Sequence, residues 1–152
     1  MTQRIIFFGE LLIRLTAPRR ELLMQSQSFN VQVGGAEANV AVGLAHLGHQ
    51  TAVVSAVPDN ALGRGAVSAI RSHGVDCKSV QTRDGRMGLY FLAQGAGLRA
   101  SEIVYDRAGS SFAQMAAADF DWDALLVGAR MLHLSGITPA LGPQSAEAAL
   151  AA

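Results

Sequence analysis

Gly34 and Gly35 stand side by side before a run whose apolar residues, Val40, Leu44 and Leu47, recur at helical spacing with Ala41 and Ala45 between them. A Gly-Gly pair lets the backbone approach a ligand without interference from Cβ atoms. A helix starting there adds unpaired N–H groups and the positive end of its dipole. Asn39 falls in the first helical turn, where its amide can both donate to and accept from ligand hydroxyls. The same residues also describe a tight strand-to-helix turn with no ligand, and both readings stand at this level. The helix is predicted to bury its Val40, Leu44 and Leu47 face and to close at Gly48 in the left-handed conformation.

Other chemistry-bearing residues form weaker patterns. His46 and His49 are three apart at a helix end with no evident third ligand, and His133 sits in an apolar strand as a core histidine would. Asp119, Asp121 and Asp123 alternate as in a calcium loop, but Phe120 and Trp122 intervene and no closing Glu follows, so they read as loop and helix-cap carboxylates. Gly95-Ala96-Gly97 reads as a flexible turn in a hairpin loop. Glu10 reads equally as ligand-facing or as the cap of the first strand. No metal site is assigned.

The elements that must position these groups alternate between strand and helix. Residues 4–8 read as a short buried strand ending at Gly9, and 11–15 continue extended. Residues 29–33 alternate as a half-exposed strand, and 51–57 form a second buried strand. Asp59 or Asn60 can cap a helix running to about residue 73 with Leu62, Ala66 and Ile70 inward, and Gly74 ends it. Residues 75–80 return as a strand. This order predicts a parallel α/β sheet. Residues 87–92 and 102–107 read as a hairpin outside that layer. Residues 113–118 and 123–127 read as short helices, 131–134 as a buried strand, and 139 onward as helix. The last residues look like mid-helix without a cap, which predicts that the chain is the N-terminal part of a longer protein.

Composition excludes several classes. A chain of 152 residues with 50% hydrophobic content can bury one core, and length predicts one domain. Zero net charge gives no reason to expect nucleic acid or an anionic membrane surface as a partner. Cys77 stands alone, which excludes an internal disulfide and a cysteine-rich zinc site and fits a reducing compartment. Gly9, Glu10 and Arg14 interrupt the apolar N-terminus before a signal-peptide core forms, and no apolar run could span a bilayer. A cytoplasmic protein is expected.

Read together, several segments carry a family resemblance. Gly34-Gly35-Ala36-Glu37-Ala38-Asn39-Val40-Ala41 with Leu47-Gly48 resembles the N-terminal signature of the ribokinase/PfkB family of carbohydrate kinases. Phe8-Gly9-Glu10-Leu11-Leu12, Gly88-Leu89-Tyr90-Phe91, Val104-Tyr105-Asp106-Arg107 with Gly109-Ser110, and the run from Leu132 to Leu141 narrow the likeness toward 2-keto-3-deoxygluconate kinases. The resemblance covers essentially all of this chain but about the first half of such an enzyme.

The resemblance implies a ribokinase-like α/β fold: a mostly parallel sheet flanked by helices, with a small β-lid near residues 11–33 and 86–107. It implies that a small-molecule sugar acid is held by Gly34, Gly35, Asn39, Tyr90, Tyr105 and Arg107. A guanidinium offers planar paired donors to a carboxylate, and tyrosines offer a hydroxyl and an apolar ring face. ATP and Mg²⁺ are implied for the complete enzyme, with the base and nucleotide site in a C-terminal Gly-Ala-Gly-Asp region. Gly95-Ala96-Gly97 is followed by Leu98 and does not match it, so neither a catalytic nor a cofactor-binding residue is expected here, and this chain alone is expected to be inactive. Arg14 stands where many relatives place an Asp that grips sugar hydroxyls, which argues against ribokinase or fructokinase specificity. Asp106 stands where relatives often have an aromatic residue, and an acid beside an anion site is unexpected unless it faces away. A dinucleotide-binding Rossmann domain lacks its Gly-x-Gly-x-x-Gly. A non-catalytic remnant that binds sugar or pairs through its lid as a homo-oligomer is the third reading, and an incomplete sheet predicts marginal stability.

Overall fold

A computed structural model of the chain describes residues 4–152. Its central strand, β1 (Arg4–Phe8), alternates Phe7 into one apolar layer and Ile6 and Phe8 into the other, none more than 1% exposed. Along the chain follow β2 (Leu12–Thr16), β3 (Asn30–Gly34), α1 (Ala36–His46), β4 (Thr51–Pro58), α2 (Ala61–Ser72), β5 (Asp76–Arg83), β6 (Gly88–Ala93) and β7 (Glu102–Asp106). The remaining elements are α3 (Trp122–Leu126), β8 (Ala129–His133), α4 (Ile137–Ala140) and α5 (Pro143–Ala151). The fold is α/β. Strands β5, β4, β1 and β8 lie side by side in that order, every neighbouring pair parallel. Such a sheet needs both faces covered. Ala38 and Ala41 of α1 with Ala66 and Ile70 of α2 cover one face, and Phe112, Met115, Phe120, Trp122 and Ala148 cover the other.

A second sheet runs in the order β3, β2, β6, β7, with β2 and β6 parallel and the outer pairs antiparallel. Alternation gives it two different faces. Ile13, Leu15, Val33 and Leu89 pack into the same apolar cluster as Phe7 and Val53. Arg14, paired with Gln32 on one side and Tyr90 on the other, lies on the opposite face, and Tyr90 pairs in turn with Tyr105. Ala96 and Arg99 exchange two backbone hydrogen bonds of 3.0 Å, so the Gly95-Ala96-Gly97 string is a turn between β6 and β7.

Three local expectations need correction. In α1 the buried residues are Glu37, Ala38 and Ala41, while Val40 is 40% and Leu47 75% exposed. The small alanines, not the branched residues, let the helix lie close on the sheet. In α2 Leu62 is 50% exposed and Gly63 is buried beside Ala66 and Ile70. Residues 113–118 form no α-helix. The Asp119 carboxylate accepts from the Ala116 backbone N–H and pairs with Arg83, tying this segment to the end of β5 as turns.

Helix ends are set locally. Gly48, at φ 86°, closes α1, as its sequence position predicts. The Asn60 side chain accepts from the N–H groups of Leu62 at 2.9 Å and Gly63 at 3.1 Å, capping α2. Asn60→Ala is expected to lower the unfolding free energy by about 1 kcal/mol, read as a lower denaturant midpoint at unchanged slope.

Candidate functional site

The two sheets meet where β1 ends. Only Gly9, Glu10 and Leu11 separate it from β2, so the chain passes from one sheet to the other at Glu10. Beside this crossing, β3 ends in Gly34 and α1 begins at Ala36. Gly35 between them has φ 144°, and a Cβ there would lie 2.3 Å from the Glu10 carbonyl oxygen, so glycine is required by both conformation and space.

A pocket of about 130 Å³ opens at this junction, lined by Glu10, Leu12, Gly35, Ala36, Glu37, Asn39, Tyr90, Tyr105, Arg107 and Ile137. Five of the six residues singled out above therefore border one cavity. Gly34 lies just behind them, its Cβ position 3.6 Å from the Tyr90 hydroxyl and 3.8 Å from the Asn39 Oδ1. Tyr90 and Tyr105 sit opposite each other in register with ring centres 5.7 Å apart. The Arg107 guanidinium lies 5.8 Å over the Tyr105 ring, a cation–π distance. A larger apolar hollow of about 730 Å³, lined by Leu22, Met24, Phe29, Phe91 and Val104 among others, lies on the opposite face of the second sheet and holds none of these residues.

Two buried carboxylates complete the pocket; the sequence leaves Glu10 open between two readings and does not single out Glu37. The Glu10 side chain is 2% exposed, and it faces the pocket instead of capping β1. Its Oε2 accepts from Arg107 Nε at 2.8 Å and from Arg107 Nη2, and its Oε1 accepts from Ser110 Oγ at 2.5 Å. Glu37, in the first turn of α1, accepts from the Ser135 N–H at 2.8 Å and so ties the helix to the segment after β8. Gly88 makes room for Glu10: a Cβ there would lie 2.3 Å from Glu10 Oε1.

Asp106 resolves simply. It faces away from Tyr105 and Arg107 and forms a two-pronged pair with Arg86, Nη1 to Oδ1 and Nη2 to Oδ2 both at 2.6 Å. The Arg86 hydrogen bonds hold its carboxyl below the usual carboxylate range. Arg14 donates from Nε to Gln32 Oε1 at 2.8 Å. His46 contacts His73, ring nitrogens 3.1 Å apart, and not His49. His133 is half-buried against Phe7, ring centres 5.3 Å apart. Asp121 caps α3 by accepting from the Ala124 N–H. Among the described residues, no three or more His, Cys, Asp or Glu converge on one point. Also among them, no helix is long and apolar enough to cross a membrane.

Comparison with known proteins places this geometry. The family model described as pfkB family carbohydrate kinase matches residues 2–152. The 2-dehydro-3-deoxygalactonokinase of Haloferax volcanii is 36% identical over 141 residues, covering 93% of this chain and 44% of that protein. The crystal structure of 2-dehydro-3-deoxygluconokinase from Thermotoga maritima superposes with a TM-score of 0.95 at 41% identity, covering 97% of this chain and 45% of that one. An uncharacterized sugar kinase from Pyrococcus horikoshii, solved in complex with ATP, superposes with a TM-score of 0.84 at 26% identity, covering 96% of this chain and 47% of that one. The chain thus spans less than half the length of each of these three relatives.

Two outcomes follow from the packing of Glu10. Gly88→Ala is expected to displace its carboxylate and lower stability by about 1–3 kcal/mol, the usual cost of overpacking. Gly43→Ala, with nothing within 4 Å of the new methyl, is expected to leave the thermal midpoint level or higher. Burial pushes the Glu10 pKa up, against the Ser110 hydrogen bond and the Arg107 and Arg86 charges that pull it down. The folded protein then holds this proton to higher pH than the unfolded chain does. Its contribution to stability is complete below the ordinary carboxylate value and is lost as pH rises through the raised one. Unfolding free energy measured against pH is expected to decline over that window, and Glu10→Gln is expected to remove that part of the decline.

Proposed function

The chain belongs to the pfkB family of carbohydrate kinases, and from that premise we propose that it forms the substrate-holding part of a kinase that phosphorylates a 2-keto-3-deoxy sugar acid on its terminal hydroxyl, with ATP as donor. The observation that carries this reading is the state of Arg107. Its Nε and Nη2 face Glu10, while Nη1 has no hydrogen-bond partner among the described residues, and the side chain borders the pocket. A guanidinium engaged on one edge still presents its other edge, with two parallel donors, to a carboxylate.

In this proposal Gly34 and Gly35 bring backbone close to the sugar, and the first turn of α1 supplies N–H groups and dipole. The Asn39 amide and the Tyr90 and Tyr105 hydroxyls hold the sugar hydroxyls, and the ring faces cover its carbon chain. The second sheet acts as the lid that keeps water from the reacting hydroxyl. The proton acceptor, the ATP site and any Mg²⁺ belong, in this reading, to the remainder of the complete protein.

The names of the relatives support a sugar acid: 2-keto-3-deoxygluconate, its galactonate isomer or 5-dehydro-2-deoxygluconate. The first two differ in the configuration of one hydroxyl, and all three share the carboxylate that Arg107 would hold. The proposal is tested by a coupled ATP-dependent assay on the protein expressed from its full reading frame, with the three acids, fructose and ribose. Turnover of an acid is expected, and Arg107→Ala is expected to raise its KM by about 10- to 100-fold, the worth of a charged hydrogen-bonded contact. Turnover of the neutral sugars alone would replace the sugar-acid reading with a fructokinase or ribokinase one. No ATP turnover with any of these sugars would favour a non-catalytic remnant.

A further inference from the structure

Resting on the sugar-acid reading, we infer that Glu10 is a positioning residue, which fixes the Arg107 guanidinium so that its Nη1–Nη2 edge faces the pocket as a ready-made carboxylate receptor.

An arginine at the end of a strand has four rotatable side-chain bonds and no intrinsic reason to hold one plane. Here Arg107 is held from two directions. Glu10 Oε2 takes Nε at 2.8 Å together with Nη2, which defines the plane and the buried edge of the guanidinium. The Tyr105 ring lies 5.8 Å from its central carbon and supports one face. The side chain is 16% exposed, and the pocket it lines is the open direction. Ordering the group beforehand removes the rotamer entropy that a substrate would otherwise have to freeze.

Glu10 is itself over-determined. Ser110 Oγ donates to its other oxygen at 2.5 Å, the crossing between the sheets fixes its backbone, and Gly88 leaves the space that its carboxylate fills. The competing cation nearby, Arg86, is engaged by Asp106 through two hydrogen bonds of 2.6 Å. Each carboxylate thus has its own arginine. Charge balance also limits what the pocket accepts. Glu10 neutralises Arg107 while the site is empty, and a second carboxylate on the free edge is tolerable because the guanidinium lies between the two anions.

A simple brace between the sheets would affect stability and leave substrate discrimination untouched, so kinetics separates the two roles. On the protein expressed from its full reading frame, Glu10→Gln keeps the shape and removes the charge. It is expected to raise KM for the sugar acid by up to about tenfold, the scale of the cost of immobilising one long side chain on binding, with kcat and the KM for ATP little changed. Ser110→Ala is expected to move KM in the same direction by less, and it carries the decision should Glu10→Gln yield no soluble protein. In an Arg107→Ala background, Glu10→Gln is expected to add no further rise, because the residue acts through that arginine. A rise that multiplies fully with the Arg107→Ala effect, or a loss of kcat at constant KM, would overturn the inference while leaving the kinase reading intact. A wild-type protein that phosphorylates only uncharged sugars would show instead that the sugar-acid reading had failed, and the inference with it.

Discussion

The contact on which the rest of the structure depends is the buried ion pair between Glu10 and Arg107, which joins residues 97 apart in the chain. Taking two charges out of water is costly, and attraction repays it only where geometry is good and the remaining polar atoms are satisfied. Here Ser110 supplies the remaining hydrogen bond and Gly88 the remaining space, which offset part of the cost, and burial still holds the Glu10 pKa above its ordinary value. Since Glu10 sits where the chain leaves the parallel sheet and Arg107 follows the last strand of the second sheet, this pair ties the two sheets together beside the apolar core they share. It fixes the pocket between them by the same act.

Strand alternation then sorts the charges. Tyr105 and Arg107 fall on the pocket side, and Asp106 between them falls on the other, where Arg86 meets it. A shift of one residue in β7 would turn the acid inward and the tyrosine outward. The antiparallel register with β6, pairing Tyr90 with Tyr105, rules that out. Glu10, Arg86, Asp106 and Arg107, drawn from distant parts of the chain, therefore act as two separate pairs.

Much of this was legible in the chain. The Gly34-Gly35 turn, the helix that follows it and the buried strands declare themselves by period and punctuation, because those signals are local. The ordered run of family segments located the pocket-lining residues for the same reason: each belongs to a strand or turn readable from its own neighbours. Glu10 was ambiguous because its partners, Arg107 and Ser110, are brought to it by tertiary structure alone. The buried face of α1 was misread because branched apolar residues normally mark the core. This helix lies close to its sheet, so the alanines are inside and Val40 is not. Residues 113–118 have helical composition, but the Asp119 carboxylate, drawn to Arg83, takes the Ala116 N–H and fixes a tighter turn.

The second sheet is anchored at one end only. Ile13, Leu15, Val33 and Leu89 embed its base in the core it shares with the parallel sheet, whereas every residue of β7 is exposed and the far ends of β6 and β7 lead into the Ala96–Arg99 turn. In mechanical terms it is a cantilever, stiff at the root and compliant at the tip. Tyr90, Tyr105 and Arg107 lie near the root, where a bending beam moves least. Bending confined to the tip would leave the spacing of those three side chains unchanged.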